Sequence, residues 1–288
     1  YTPEEIKINK FVEGTLLSPT DKEDVPLVIM IQGSGPTDRN GNQSFMKNDS
    51  FKKLAIALAE EGIASFRFDK RILQMRELGL KEEEIRFDDF ITDASSVLDY
   101  SKQNPVFKKI IVLGHSQGSL IGMISAKDKA DAFISIAGAA EPIDSLIIEQ
   151  IGSQMPGLKQ NVQESFKEIR ETGSSKNYNP MLEMIFRPSV QPFILSWMKY
   201  DPQIEIAKLD IPVLLINGTN DLQIKEKEAE KLKQAQPNAK LVLLDKMNHV
   251  FRKIEGNALE NSKSYNTAGL PLHPELAPVI VEFINTLK

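Results

Sequence analysis

The 288-residue chain contains no cysteine. That excludes disulfide staples, thiolate nucleophiles and cysteine-based zinc sites, and it leaves the redox compartment unreadable. Histidine is scarce, with three residues, and there is a single tryptophan. No apolar run approaches the length of a membrane-crossing helix. No signal peptide is visible, yet the chain opens on Tyr1 rather than Met, so an upstream segment is expected to have been removed. The net charge of −5 is no basic patch for nucleic acid or anionic lipid. With 41% hydrophobic and 26% charged residues, the composition is that of an ordinary soluble globule. A chain of this length buries enough surface to need no metal to fold.

What is present alternates. EIKINKFVEGTLL (5–17) reads as antiparallel strands before or around Gly14, and 18–24 as a turn. VPLVIMI (25–31) is a continuous apolar run, the mark of a strand buried on both faces, IASFRFD (63–69) reads as a second buried strand, and KIIVLG (109–114), AFISIAGA (132–139), PVLLING (212–218) and KLVLLD (240–245) as four more strands. Helical spacing separates them at 49–61, 88–100 and from Gly118 onward, again between the last two strands, and in the final PELAPVIVEFINTLK. Strand–helix alternation predicts an α/β fold, a doubly wound, mostly parallel sheet. A charged stretch over 70–87 has no clear reading. Residues 141–205 interrupt the alternation without a strand and are expected to form a mainly helical cap, dividing the chain into a core of 1–140 plus 206–288 and an inserted cap.

Within this frame GHSQG (114–118) falls between a buried strand and a helix. A serine flanked two residues away by glycines, at a strand-to-helix turn, is a nucleophile elbow pattern. The glycines let a sharp turn pass close to its neighbours, and the serine hydroxyl stands clear at the helix N-terminus. A serine needs a base. Of the histidines, His115 adjoins the serine and its ring should point away from it, and His273 sits in a proline-bound approach to the last helix. Only His249 follows the C-terminal end of a strand, where parallel sheets build their sites. A carboxylate should orient it, and Asp221 closes LLINGTND in the order Ser116…Asp221…His249. Asp210 precedes its strand and Asp245 is a weaker rival. Backbone N–H groups of Gln117 and, from the QGSGP loop, Ser34 are the expected oxyanion donors. Met184, Phe186, Phe193 and Trp197 are candidates for a substrate pocket, although an apolar cap face packed on the core explains them equally. Asp38 and Arg39 are candidates for substrate contact, but are read first as a buried or semi-buried pair holding the loop, with Asp69 or Arg71 as partners.

These residues resemble the α/β-hydrolases, and more narrowly a bacterial serine carboxylesterase branch whose oxyanion loop reads Gly-Ser-Gly-Pro-x-Asp-Arg-(Asp/Asn)-Gly. Here those residues are Gly33, Ser34, Gly35, Pro36, Asp38, Arg39, Asn40 and Gly41, with RFDKR (67–71), GHSQG, Tyr200-Asp201-Pro202 and MNHVF (247–251) also in place. Gln32 departs from the histidine many lipases carry before the loop glycine. The resemblance implies hydrolysis of a small-molecule ester, with no cofactor and no metal. A peptidase, aminopeptidase, thioesterase or acyltransferase on the same fold is the alternative, and a non-enzymatic binding module the least favoured. Acyl and alcohol preference, compartment and oligomeric state, a homo-oligomer included, stay open.

Overall fold

In the computed structural model, which describes residues 1–20 and 24–287, the apolar run VPLVIMI is a strand at the centre of an eight-stranded sheet. The strands are β1 (Thr2–Lys7), β2 (Glu13–Ser18), β3 (Val25–Ile31), β4 (Ala64–Phe68), β5 (Phe107–His115), β6 (Ala132–Ile136), β7 (Val213–Gly218) and β8 (Lys240–Leu244). Their spatial order is β1-β2-β4-β3-β5-β6-β7-β8. From β4 to β8 every pairing is parallel, and β1 and β2 add an antiparallel margin. The α/β expectation therefore holds, with the order reversing between β3 and β5. At that switch the C-terminal ends of β3 and β5 diverge and leave a crevice.

Side chains alternate across the sheet, so two separate apolar layers form. Ile29, Val112 and Phe133 point to one, beneath the Phe87–Ser101 and Gln117–Ala126 helices. Val28, Ile111 and Leu214 point to the other, beneath the Ser50–Glu60 and Leu276–Asn285 helices. Among the described residues no helix is long and apolar enough to cross a membrane.

Gly14 is not at the first turn but inside β2, opposite Ile6 on one side and Phe68 on the other. A Cβ there would overlap the Arg67 carbonyl, so the strand crossing demands glycine. The turn is instead made at Asn9, whose side chain accepts from the Phe11 and Val12 N–H groups. Of the turn read at 18–24, residues 21–23 lie outside the described residues, as does Lys288 of the final helix.

Residues 143–197 carry four α-helices and two short 3₁₀ helices around their own buried cluster, in which Val162, Phe166, Ile169 and Phe186 are sealed. The Pro202–Ala207 helix instead contributes Ile206 to the sheet's apolar layer. The cap docks through its Gln191–Trp197 helix. Trp197 stacks on Phe87 with ring centroids 5.2 Å apart, and Ser196 Oγ accepts from the Phe87 N–H at 2.7 Å.

Candidate active site

β5 ends at His115 and the next helix begins at Gln117, leaving Ser116 alone to make the reversal. Its φ of 54° and ψ of −122° are strained for a residue with a side chain. The flanking glycines explain how the strain is tolerated. A Cβ on Gly114 would run into the backbone of Gly118, and one on Gly118 into the Ile31 and Gln32 carbonyls at the end of β3. Every other residue from 114 to 118 is buried, and Ser116 is partly exposed.

His249 lies on the loop after β8 and Asp221 on the loop after β7. His249 Nδ1 donates to Asp221 Oδ2 at 2.7 Å, both side chains nearly sealed from solvent. The other carboxylate oxygen, Oδ1, accepts from the Gln223 and Ile224 N–H groups at 2.7 and 2.9 Å. Burial alone would raise the Asp221 carboxyl. The charge of His249 and these hydrogen bonds outweigh it and hold the group below the usual carboxylate range. With Nδ1 committed as donor, Nε2 of the neutral ring is the free base. Asp210 and Asp245 make no such contact. The Asp245 carbonyl instead accepts from His273 Nε2, giving that histidine a structural place.

His115 lies behind the base rather than facing Ser116. Its Nε2 donates to the His249 carbonyl at 2.9 Å and the two rings are 4.6 Å apart, backed by Phe51 and Phe251. Burial, then the neighbouring His249, drives the His115 imidazole well below its ordinary value, so it stays neutral.

The loop after β3 folds over the elbow. Gly33 approaches so closely that a Cβ on it would lie 3.2 Å from Ser116 Cβ. Asp38 and Arg39 do not form the pair expected of them, but each braces this loop. Asp38 Oδ1 accepts from the N–H groups of Asn40 and Asn42. Arg39 holds Asp69 Oδ2 through Nε and Nη2 at 2.9 and 2.6 Å and reaches Glu5 and Thr15 on the antiparallel margin. Arg71 takes a different partner, Asp93, at 2.6 and 2.8 Å. Neither Ser34 N–H nor Gln117 N–H has an acceptor among the described residues.

Ser116 borders two cavities. The larger, about 690 Å³, runs beneath the cap and is walled by Leu120, Ile143, Ile147, Phe193, Trp197 and Met184, among others. The smaller, about 280 Å³, is bounded by His249, Phe51, Thr37, Gln43, Gln223 and Tyr265. Ser34 borders both. Phe186 is a correction. It lines neither, being fully buried in the cap with its ring edge-on to Phe166 at 4.9 Å. Its spacing marks an apolar face without saying which neighbour covers it.

Sequence reasoning missed two contributors. The charged stretch after β4 forms a wall of the large cavity through Ile72, Met75 and Ile85, and its Glu82 is gripped by Arg187 of the cap at 3.0 and 2.5 Å. Lys70 is buried beneath the loop. Its charge pattern gave no signal of this, because a lysine beside two arginines or acids ordinarily reads as solvated.

A sheet of this order, with strained serine, histidine and aspartate at its C-terminal edge, is that of the α/β-hydrolases. A family model described as serine aminopeptidase, S33, matches residues 47–252, well over half the chain, and the chain belongs to that family. It is 28% identical over 265 residues to esterase EstD of Thermotoga maritima, an alignment covering 90% of this chain and 62% of that protein. Among solved structures, Est1E from Butyrivibrio proteoclasticus superposes with a TM-score of 0.62 at 17% identity, covering 99% of this chain and all of the other. The acylaminoacyl peptidase of Pyrococcus horikoshii does so at 0.60 and 15%, covering 99% of this chain and 42% of the other. At these identities the superpositions speak for the fold.

Proposed function

We propose that the chain is a serine hydrolase of carboxylic esters working through an acyl-enzyme. The observation that carries this is the buried Asp221–His249 hydrogen bond, whose histidine borders the same small cavity as the strained Ser116. Ser116 Oγ attacks the ester carbonyl while His249 Nε2 takes its proton. Asp221 keeps the imidazole in the productive tautomer and stabilises it when charged. The oxyanion is received by the N–H groups of Ser34 and Gln117. His249 returns the proton to the departing alcohol. Water, activated by the same ring, then releases the acid. The resemblance to an esterase from Thermotoga maritima supports the ester reading.

The family's description raises aminopeptidase activity as the second reading. An aminopeptidase holds its substrate's ammonium on a carboxylate. Two carboxylates line the large cavity, and each is already engaged. Glu82 is held by Arg187, and Glu141 accepts from Lys231 Nζ at 2.5 Å. Asp144 and Glu149, the cap's other acids near this end, pair with Arg170 and Lys227. A neutral acyl group suits such walls better than a cation.

A fluorophosphonate should label the Ser116 peptide of the wild-type protein and leave Ser116→Ala unlabelled. Absence of label on the wild type would overturn the serine mechanism. Turnover of p-nitrophenyl esters without aminoacyl anilides is expected; the reverse would move the assignment to a peptidase.

A further inference from the structure

The two cavities meeting at Ser116 differ in one chemically decisive way: His249 borders only the smaller. The proton returned to the leaving oxygen comes from His249 Nε2, so that oxygen must come within about 3 Å of the ring. The group it carries must therefore leave on the histidine side. Building on the serine-esterase reading, we propose that the larger cavity takes an apolar acyl chain and the smaller takes a short, hydroxylated alcohol. The walls agree. The large cavity is faced by aliphatic and aromatic side chains. The small one is faced by the polar side chains of Thr37, Gln43, Ser50 and Gln223, with Phe51, Met46 and Val250 completing its wall.

A mirrored pair of esters tests this: 2-hydroxyethyl octanoate, with a long acid and short hydroxylated alcohol, and octyl glycolate, with the two reversed. The wild type should favour the first by at least about tenfold in kcat/KM. It should also favour 2-hydroxyethyl octanoate over ethyl octanoate about fivefold to tenfold, matching the gain of one neutral hydrogen bond. Preference for octyl glycolate, or equal turnover of the two octanoates, would overturn the assignment. If neither ester turns over and Ser116 takes no fluorophosphonate, the serine-esterase reading has failed instead.

A separate observation concerns Lys70, just past β4. Its Nζ donates to the Gly33 carbonyl, to the Gly35 carbonyl at 3.3 Å and to Gln117 Oε1 at 3.0 Å, against the ring of Phe90. Three neutral oxygens match the three donors of the protonated amine, and burial with no carboxylate in reach lowers its pKa to about 7. The Gly33 carbonyl belongs to the peptide unit that carries Ser34 N–H. In a trans peptide the two point in opposite directions, so a cation gripping the oxygen fixes and polarises the N–H on the far side. We infer that Lys70 is a positioning residue that locks both oxyanion donors, Ser34 by its peptide and Gln117 by its side chain. In Lys70→Met, kcat on a p-nitrophenyl ester should fall about a hundredfold with KM within about twofold of wild type. Lys70→Arg should recover part of kcat. Unchanged kcat in Lys70→Met with an intact thermal transition, or a loss confined to KM, would overturn the role. Fluorophosphonate labelling of Ser116 in the same variant, slow but complete, keeps this test separate from the serine assignment.

Discussion

Asp221 accepts three hydrogen bonds on its two carboxylate oxygens, and only one comes from His249. Asp221→Asn keeps the two backbone contacts, because the amide oxygen still accepts from residues 223 and 224. The amide nitrogen then faces Nδ1, which favours the wrong tautomer. Turnover should fall about 10⁴-fold with the fold intact, as ester kinetics beside circular dichroism would show. Ser116, Asp221 and His249 are legible in the sequence alone, because each follows the end of a strand and they succeed one another in the chain order of the fold. Lys70 is not. Its burial is decided by a loop 35 residues earlier and a helix 47 later, and nothing in RFDKR announces that the middle charge goes in. Phe193 and Trp197 reach the cavity while Phe186, on the same apolar pattern, turns into the cap. Periodicity gives a face but not its neighbour.

The elbow is an element whose sequence and packing constrain each other. Gly118 sits against the end of β3, so Gly118→Ala forces backbone apart rather than a flexible side chain. Its cost should reach about 3 kcal/mol or prevent folding, read as a lower denaturation midpoint or insoluble protein. The inner parallel strands are readable as apolar runs because both faces of each are covered, whereas β8, at the sheet edge, leaves Lys240 and Leu243 exposed. The antiparallel strands read before or around Gly14 are present, and Gly14 marks a place where β2 lies too close to the Arg67 carbonyl for a side chain. The stretch after β4 escapes reading. From Arg76 to Glu84 most of its charges are on the outside of short turns, while Lys70 and Arg71 are buried and the few apolar residues Ile72, Met75 and Ile85 face the cavity.

At the scale of the whole molecule, the cap meets the core through the stacked Phe87–Trp197 rings and through Glu82, which accepts from Arg187 and Ser189. The hydrogen bond from Arg187 chiefly holds the Glu82 carboxyl below its usual value, against partial burial that would raise it. A group whose folded pKa is depressed stabilises above its unfolded value, near 4.3, and loses that contribution as pH falls through the folded one. The pair is partly exposed, 37% on the glutamate side, so it contributes under about 1 kcal/mol. Glu82→Gln should lower the melting temperature by about 2 °C between pH 5 and pH 8, with the difference closing below about pH 4. A gap that persists at pH 3 would assign it to packing.

Arg39 joins distant parts of this architecture. From beneath the loop over Ser116 it reaches Asp69 past β4, and also Glu5 and Thr15 on the outermost ribbon of the sheet. Ion pairs with so exposed a partner as Glu5 add little to stability. Their worth here is spatial, since the residue they steady belongs to the loop over Ser116, whose position must be kept to within tenths of an ångström. Damage to the ribbon's rim would therefore surface as a slower enzyme of nearly unchanged melting temperature, a defect that thermal screening would pass and a kinetic assay would catch.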